Sequence, residues 1–314
     1  MKAFYFDNSL KYKDVLKPEL KKGESIVKVN LTGVCRTDLE LMKGYMGFKG
    51  VLGHECVGVV EDSEDNNLLG RRVVAEINAA CGKCEMCKKG LGRHCYKRDV
   101  LGILDRPGCH AEFFSMKNEN LISVPDSISN EQAVFTEPLS AAYEILEQLE
   151  IKKDMKCLVL GDGKLGVLCA WVLSTKSDDV TLKGRHSMKL EKAKWNNLKT
   201  VQELKKGQRY DVVVEATGSE SGFSEAMRFI VPRGVIVLKS TYAGKPQLDL
   251  SPIVINEITL LGSRCGQFKD GLAFIEQYQP PLKRLIDSIH LSSSGIVVFS
   301  KAGEKGALKH LIQF

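Results

Sequence analysis

Residues 157–173 constrain this chain more tightly than any other stretch. The apolar run Cys157-Leu158-Val159-Leu160 leads into Gly161-Asp162-Gly163-Lys164-Leu165-Gly166, then into Val167-Leu168-Cys169-Ala170-Trp171-Val172-Leu173. A strand, a tight glycine turn and a helix in that order open a parallel βαβ unit. Gly161 permits the turn, Gly163 lets backbone approach a pyrophosphate, and Gly166 lets the helix pack on the strand. Lys164 and Leu165 complete the loop at the helix N-terminus, where free N–H groups and the positive dipole end favour an anion. A purely structural glycine turn is the alternative. The strand before it and the helix after it favour a dinucleotide loop.

Further apolar strands at 180–182, 211–214, 235–238 and 258–261 alternate with helical segments, the pattern of a parallel sheet with crossover helices. About 20 residues beyond such a loop, an NAD site usually places Asp or Glu on the adenosine ribose. Here the second strand ends Leu182-Lys183-Gly184-Arg185-His186, with Gly184 where the acid would fall. An acid there would repel a 2′-phosphate. Its absence, with Arg185 and His186 alongside, predicts NADP in preference to NAD. The competing reading takes Lys183, Arg185 and Lys189 as ordinary surface charges.

Before this region the period differs. Runs at 25–29, 56–60 and 72–76, separated by Gly, Asn and Asp turns, read as short antiparallel strands. Helical spacing begins near Asn130, at 131–134 and 139–146. The tail holds a helix-like stretch at 271–277, a Pro280-Pro281 break and the apolar segment Leu308-Lys309-His310-Leu311-Ile312. A chain of 314 residues exceeds one ordinary core. The reading is therefore a β-rich domain from 1–138 and 267–314, with a parallel α/β domain inserted at 139–266.

Charge and composition exclude several classes of function. With 43% hydrophobic and 27% charged residues, the chain is a soluble folded protein, not a disordered one. The net charge of +6 is spread out, and its densest points, Lys88-Lys89 and Lys205-Lys206, lack the aromatic interleaving of a nucleic-acid surface. The first residues lack an apolar signal core, and no apolar run reaches the ~18 residues of a membrane span, so a cytoplasmic protein with no membrane partner is expected. In that compartment ten cysteines are metal ligands or buried thiols before they are disulfides.

Four of the ten fall together: Cys81-Gly-Lys-Cys84-Glu-Met-Cys87, then Cys95. Four thiolates saturate a tetrahedral zinc and leave no open position, so this loop reads as a structural zinc lobe whose metal supplies folding energy. A redox Cys-x-x-Cys normally opens a helix beside a βαβ unit, a context absent here. A second cluster spans Gly33-Val34-Cys35-Arg36-Thr37-Asp38 and Gly53-His54-Glu55. Thiolate, imidazole and carboxylate are the ligand types of a catalytic zinc with one open position. Alone, Cys35 and His54 read as a buried thiol and a core imidazole before they read as metal ligands.

Taken in chain order, these motifs resemble the zinc-containing medium-chain dehydrogenase/reductase superfamily, which includes alcohol, sorbitol, threonine and glucose dehydrogenases. The similarity extends to Cys56-Val57-Gly58, to Glu137-Pro138-Leu139-Ser140 and to Val213-Val214-Glu215-Ala216-Thr217-Gly218, and covers essentially the whole chain. It implies a doubly wound Rossmann sheet inserted in a β-rich GroES-like catalytic domain, and two Zn(2+) per chain. By the same resemblance Cys35 and His54 ligate the catalytic zinc, and Glu55 ligates it or exchanges with water. Glu137 coordinates directly or through water, as in the polyol dehydrogenase branch. Asp38 orients the His54 ring, and Thr37 passes a proton outward. Thr217, Ser240, Ser263 and Arg264 lie near the nicotinamide.

The implied activity is hydride transfer between NAD(P)(H) and a small alcohol or carbonyl substrate: a secondary alcohol, a polyol, a ketone or an aldehyde. The implied assembly is a homodimer or homotetramer. Two features depart from the pattern. Glu40 stands where many relatives carry a relay histidine, and the chain is some tens of residues shorter than typical relatives, which reduces the loops around the substrate. The alternatives are a zinc-free reductase of the quinone or enoyl type, and a non-catalytic NADPH-binding protein.

Overall fold

The computed structural model describes residues 1–240 and 249–314. The chain forms two compact units, Met1–Glu137 with Gln267–Phe314, and Pro138–Gly266.

In the second unit six parallel strands lie in the order Lys199–Val201, Asp179–Lys183, Lys156–Leu160, Tyr210–Glu215, Ile230–Leu238, Thr259–Gly262. Strand order reverses at Lys156–Leu160, which leaves a crevice outside the carboxyl ends of that strand and Tyr210–Glu215. Cys157, Leu158, Val159 and Leu160 are wholly buried, as a central parallel strand covered on both faces requires. The helix Lys164–Ser174 follows, and Val167 to Leu173 are wholly buried around its whole circumference. Trp171 donates its Nε1–H to the Ala193 carbonyl at 2.6 Å, so its polar atom is satisfied inside the core. The edge strand Lys199–Val201 has no fully buried residue, so no apolar run marks it in the sequence.

The first unit is built on a seven-stranded sheet. Its main path runs Leu121–Ser123, Arg72–Ala75, Cys56–Ser63, Glu24–Gly33, Lys309–Gln313, Ile286–Leu291, and Phe113–Lys117 also pairs with Glu24–Gly33. The tail segment around Leu311 is thus a strand. It lies antiparallel to Glu24–Gly33 with Leu311 opposite Gly33, which carries Lys309 into the neighbourhood of Gly33 and Glu55. The helical tail stretch extends over Phe268–Tyr278. Phe4, Leu41, Leu52, Val298, Phe299 and Ile312 form one core cluster, tying the tail to the N-terminal strands. No helix among the described residues is long and apolar enough to cross a membrane.

Gly166 is where the loop helix meets the turn that leaves its strand: a Cβ there would lie 2.0 Å from the Gly161 carbonyl oxygen. Gly166→Ala is expected to cost about 1–3 kcal/mol through overpacking, seen as a lower urea midpoint with an unchanged slope. An unchanged midpoint would show that helix and turn are not in contact through this glycine.

Candidate active site

The four-cysteine lobe has the geometry of a closed metal site. Four thiolates about 2.3 Å from one zinc in a tetrahedron stand about 3.8 Å from one another. The Cys84 and Cys87 sulfurs lie 3.5 Å apart, Cys84 and Cys95 3.7 Å, and Cys81 and Cys87 4.0 Å. These separations match a shared ion and are far beyond a disulfide bond of about 2.05 Å. The backbone N–H groups of Cys81 and Lys97 donate to the Cys95 sulfur, each at 3.3 Å. Those of Cys87 and Tyr96 pull the Cys84 thiol down to about 6, while burial and the neighbouring thiols push Cys87 up to about 11. The four residues fit zinc.

The second group comprises Cys35, His54 and Glu55, with one ligand atom from each lying within 4.8 Å of the others. Cys35 occupies the N-cap of the helix Arg36–Leu41 and donates its backbone N–H to Asp38 Oδ2 at 2.8 Å. One short helix thereby sets both the thiol and the carboxylate behind the imidazole. Asp38 is wholly buried; its Oδ1 lies 3.4 Å from His54 Nδ1, and its Oδ2 lies 3.4 Å from His110 Nε2. Burial alone would raise the Asp38 carboxyl, but His54 and His110 hold it well below the usual range. With Nδ1 turned toward Asp38, the other nitrogen of His54 is left for a ligand. Thr37 Oγ1 stands 3.8 Å from Cys35 Sγ. The donor set, soft sulfur with imidazole and carboxylate, suits zinc.

In the other unit the loop fits a dinucleotide. Gly163 has φ −70 and ψ 167, a conformation open to any residue, and a Cβ there would meet nothing within 4 Å. Neither strain nor packing explains this glycine, whereas a pyrophosphate brought against the helix N-terminus does. Thr217 follows the carboxyl end of Tyr210–Glu215, Ser240 that of Ile230–Leu238, and Ser263 and Arg264 that of Thr259–Gly262, so all four lie at the same end of the sheet as the loop. Gly218 N–H donates to Ser240 Oγ at 2.9 Å.

The chain is similar to known dehydrogenases in both units. The model of the alcohol dehydrogenase GroES-like domain matches residues 21–126, and that of the zinc-binding dehydrogenase domain matches 188–279. A glucose 1-dehydrogenase of Methanocella arvoryzae is 32% identical over 260 residues, covering 74% of this chain and 72% of that protein. The chain belongs to the zinc-containing medium-chain dehydrogenase/reductase superfamily. A 2-dehydro-3-deoxy-L-galactonate 5-dehydrogenase of Pseudoalteromonas atlantica is 27% identical, covering 93% of this chain and 92% of that one. Among solved structures, a zinc-binding dehydrogenase of Sinorhizobium meliloti bound to NADP superimposes with TM-score 0.91 at 23% identity, covering 100% and 99% of the two chains. As a member of this superfamily the chain is an alcohol dehydrogenase-like oxidoreductase using zinc and NAD(P).

Two acids named by the sequence lie outside the group of Cys35, His54 and Glu55. Glu137 sits at the start of the helix Thr136–Gln148, partly exposed, and is not one of the three whose ligand atoms converge. Glu40 is held by Arg36 at 2.9 Å and Lys43 at 3.1 Å on its own helix, an arrangement of surface ion pairs.

Three residues were not anticipated. His110 binds Thr32 Oγ1 at 2.8 Å and backs Asp38. Lys239 is buried at the end of the strand Ile230–Leu238, and its ammonium donates to Ser263 Oγ at 3.1 Å and to the Ala141 and Arg264 carbonyls. Lys309 is wholly buried, forms an ion pair with Glu55 and donates to the Val34 carbonyl at 3.3 Å. Burial pushes the Lys309 ammonium down, to about 8, against the attraction of Cys35 and Asp38. Gly33 makes room for this pair, since a Cβ there would lie 2.3 Å from Lys309 Cε and 2.8 Å from Glu55 Oε2. The signal in the sequence was slight: one lysine inside the apolar run 308–312.

Removing one partner of a buried ion pair strands the other charge. Lys309→Met should therefore destabilise the protein by about 3–5 kcal/mol, measured by guanidinium denaturation. A loss below about 1 kcal/mol, the worth of a surface pair, would mean that Glu55 does not depend on this lysine.

Proposed function

We propose that this chain is a two-zinc dehydrogenase that exchanges hydride between NAD(P)(H) and a polyhydroxylated secondary alcohol or its ketone or aldehyde. The convergence of Cys35, His54 and Glu55 on one point, backed by the buried Asp38, carries this reading. The zinc-free reductase and the non-catalytic scaffold leave that convergence without a reason. The relatives named above act on a sugar and a sugar acid, which supports a polyhydroxylated substrate here.

A zinc ion held by Cys35 and His54, with Glu55 or Glu137 completing the set directly or through water, supplies Lewis-acid chemistry that lowers the pKa of an alcohol. A bound nicotinamide dinucleotide supplies the hydride chemistry. The chain does the rest. Asp38 fixes the His54 ring, and Lys309 holds the Glu55 carboxylate in place. Thr37, partly exposed and beside Cys35, carries the substrate proton outward, and the relay does not pass through Glu40, which is committed to Arg36 and Lys43. Gly161, Gly163, Lys164, Leu165 and Gly166 cradle the pyrophosphate, and Thr217, Ser240, Ser263 and Arg264 position the nicotinamide end. Lys239 braces the last two. The adenosine ribose would lie at Gly184, Arg185 and His186, where the second strand ends.

Cys81, Cys84, Cys87 and Cys95 hold the structural zinc. The edge strand Thr259–Gly262 leaves Leu260 39% exposed, and Val254 and Ile255 beside it in sequence are each 77% exposed, which supports a homodimer or homotetramer formed along that edge. Ten thiols with no disulfide among them suit a cytoplasmic setting.

Cys35→Ser tests the mechanism. Alcohol oxidation should fall by at least about a thousandfold, and zinc should drop from two per chain to one, because the variant loses a first ligand while the four-cysteine lobe keeps its own. Turnover retained at one zinc per chain would remove the metal from the reaction.

A further inference from the structure

The end of the second strand carries an acid after all, supplied from a different part of the chain. Asp162, the variable residue between the first two glycines of the loop, turns its carboxylate onto the turn that follows Asp179–Lys183. Its Oδ2 accepts the backbone N–H of Arg185 at 2.7 Å, the backbone N–H of His186 at 2.7 Å, and approaches His186 Nδ1 at 3.0 Å. Gly184 is a glycine because of it: a Cβ at 184 would lie 2.4 Å from Asp162 Cβ and 2.6 Å from its Oδ2. The side chain missing from strand position 184 and the side chain present at 162 thus compete for one volume. Only one of them can be an acid.

The geometry points to Asp162 as the residue that selects the dinucleotide, doing from the phosphate loop what an acid at the strand end does elsewhere, so that this chain binds NAD(H) in preference to NADP(H). This rests on the dinucleotide reading of the loop and reverses the preference that Gly184 and Arg185 suggest when the sequence is read alone. Three observations support it. The carboxylate is ionised: burial would raise it, but the donors from His186 and Arg185 hold it below the usual range. Among the described residues Oδ1 takes no donor, leaving an acceptor for a ribose hydroxyl. The two backbone N–H groups at 185 and 186, which could otherwise receive a phosphate, are already occupied.

The opposing feature is Arg185, whose side chain is exposed. An exposed guanidinium acts through solvent and is screened, whereas the Asp162 side chain is only 10% exposed and its charge is fixed in place. A 2′-phosphate reaching Arg185 would lie beside that carboxylate, and the repulsion outweighs a screened attraction.

The test uses fragments that cannot react, so its result does not depend on the zinc. ADP-ribose and its 2′-phosphorylated form are titrated calorimetrically into the full-length wild-type protein and into Asp162→Asn, which keeps an acceptor but loses the charge. Wild type should bind ADP-ribose at least about tenfold more tightly, as expected for one charge-assisted hydrogen bond to a ribose hydroxyl, and Asp162→Asn should lose most of that ratio. Equal or tighter binding of the phosphorylated fragment by wild type overturns the proposal, whether or not the variant folds. So does an unchanged ratio in a folded Asp162→Asn. Either of those results leaves the dinucleotide loop standing, whereas binding of neither fragment would remove both.

Discussion

A knot of buried charge lies inside the first unit and sets the terms for what surrounds it. Asp38, Glu55 and Lys309 are completely removed from solvent and His54 nearly so. Isolated, each would cost several kcal/mol to bury. They are tolerable only as a set: Lys309 against Glu55, His54 and His110 against Asp38, and Cys35 positioned by the Asp38 carboxylate through its own backbone. The set comes from four separate parts of the chain, so the fold must bring the C-terminal strand back beside Glu24–Gly33 before the charges can be paired. In this sense the site and the sheet are one problem.

The Rossmann unit follows a different economy. Its core is apolar and continuous, from the central strand through a helix buried on every side. Polar groups gather where the strands end, each with named partners: Ser240 with the Gly218 N–H, Lys239 with Ser263 and Arg264, Asp162 with the turn at 185–186. Rigid apolar layers with polar groups confined to the strand ends are what an α/β sheet needs to hold a ligand there.

Much of this was legible from residue order. Cys81, Cys84, Cys87 and Cys95 announce their geometry by spacing, and the loop 161–166 announces its own because strand, turn and helix are contiguous. What stayed hidden are contacts between residues distant in sequence whose local context is ordinary. Lys309 is one lysine in a short apolar stretch until the sheet sets it against Glu55, more than 250 residues away. Asp162 occupies a position that the glycine pattern leaves unspecified, and only its contact with Gly184 shows why that glycine is there. The strand Lys199–Val201 is short and half exposed, so burial gives it no periodicity to read.

Anomalous diffraction at the zinc edge, from crystals of fully metallated and active protein, tests the central claim most directly. Two peaks are expected per chain. One should lie at about 2.3 Å from each of the four sulfurs of Cys81, Cys84, Cys87 and Cys95, and the other at ligand distance from Cys35 and His54. A single peak confined to the cysteine lobe would contradict the account, because the buried charges around Cys35 would then be held together without the ion that gives them a purpose.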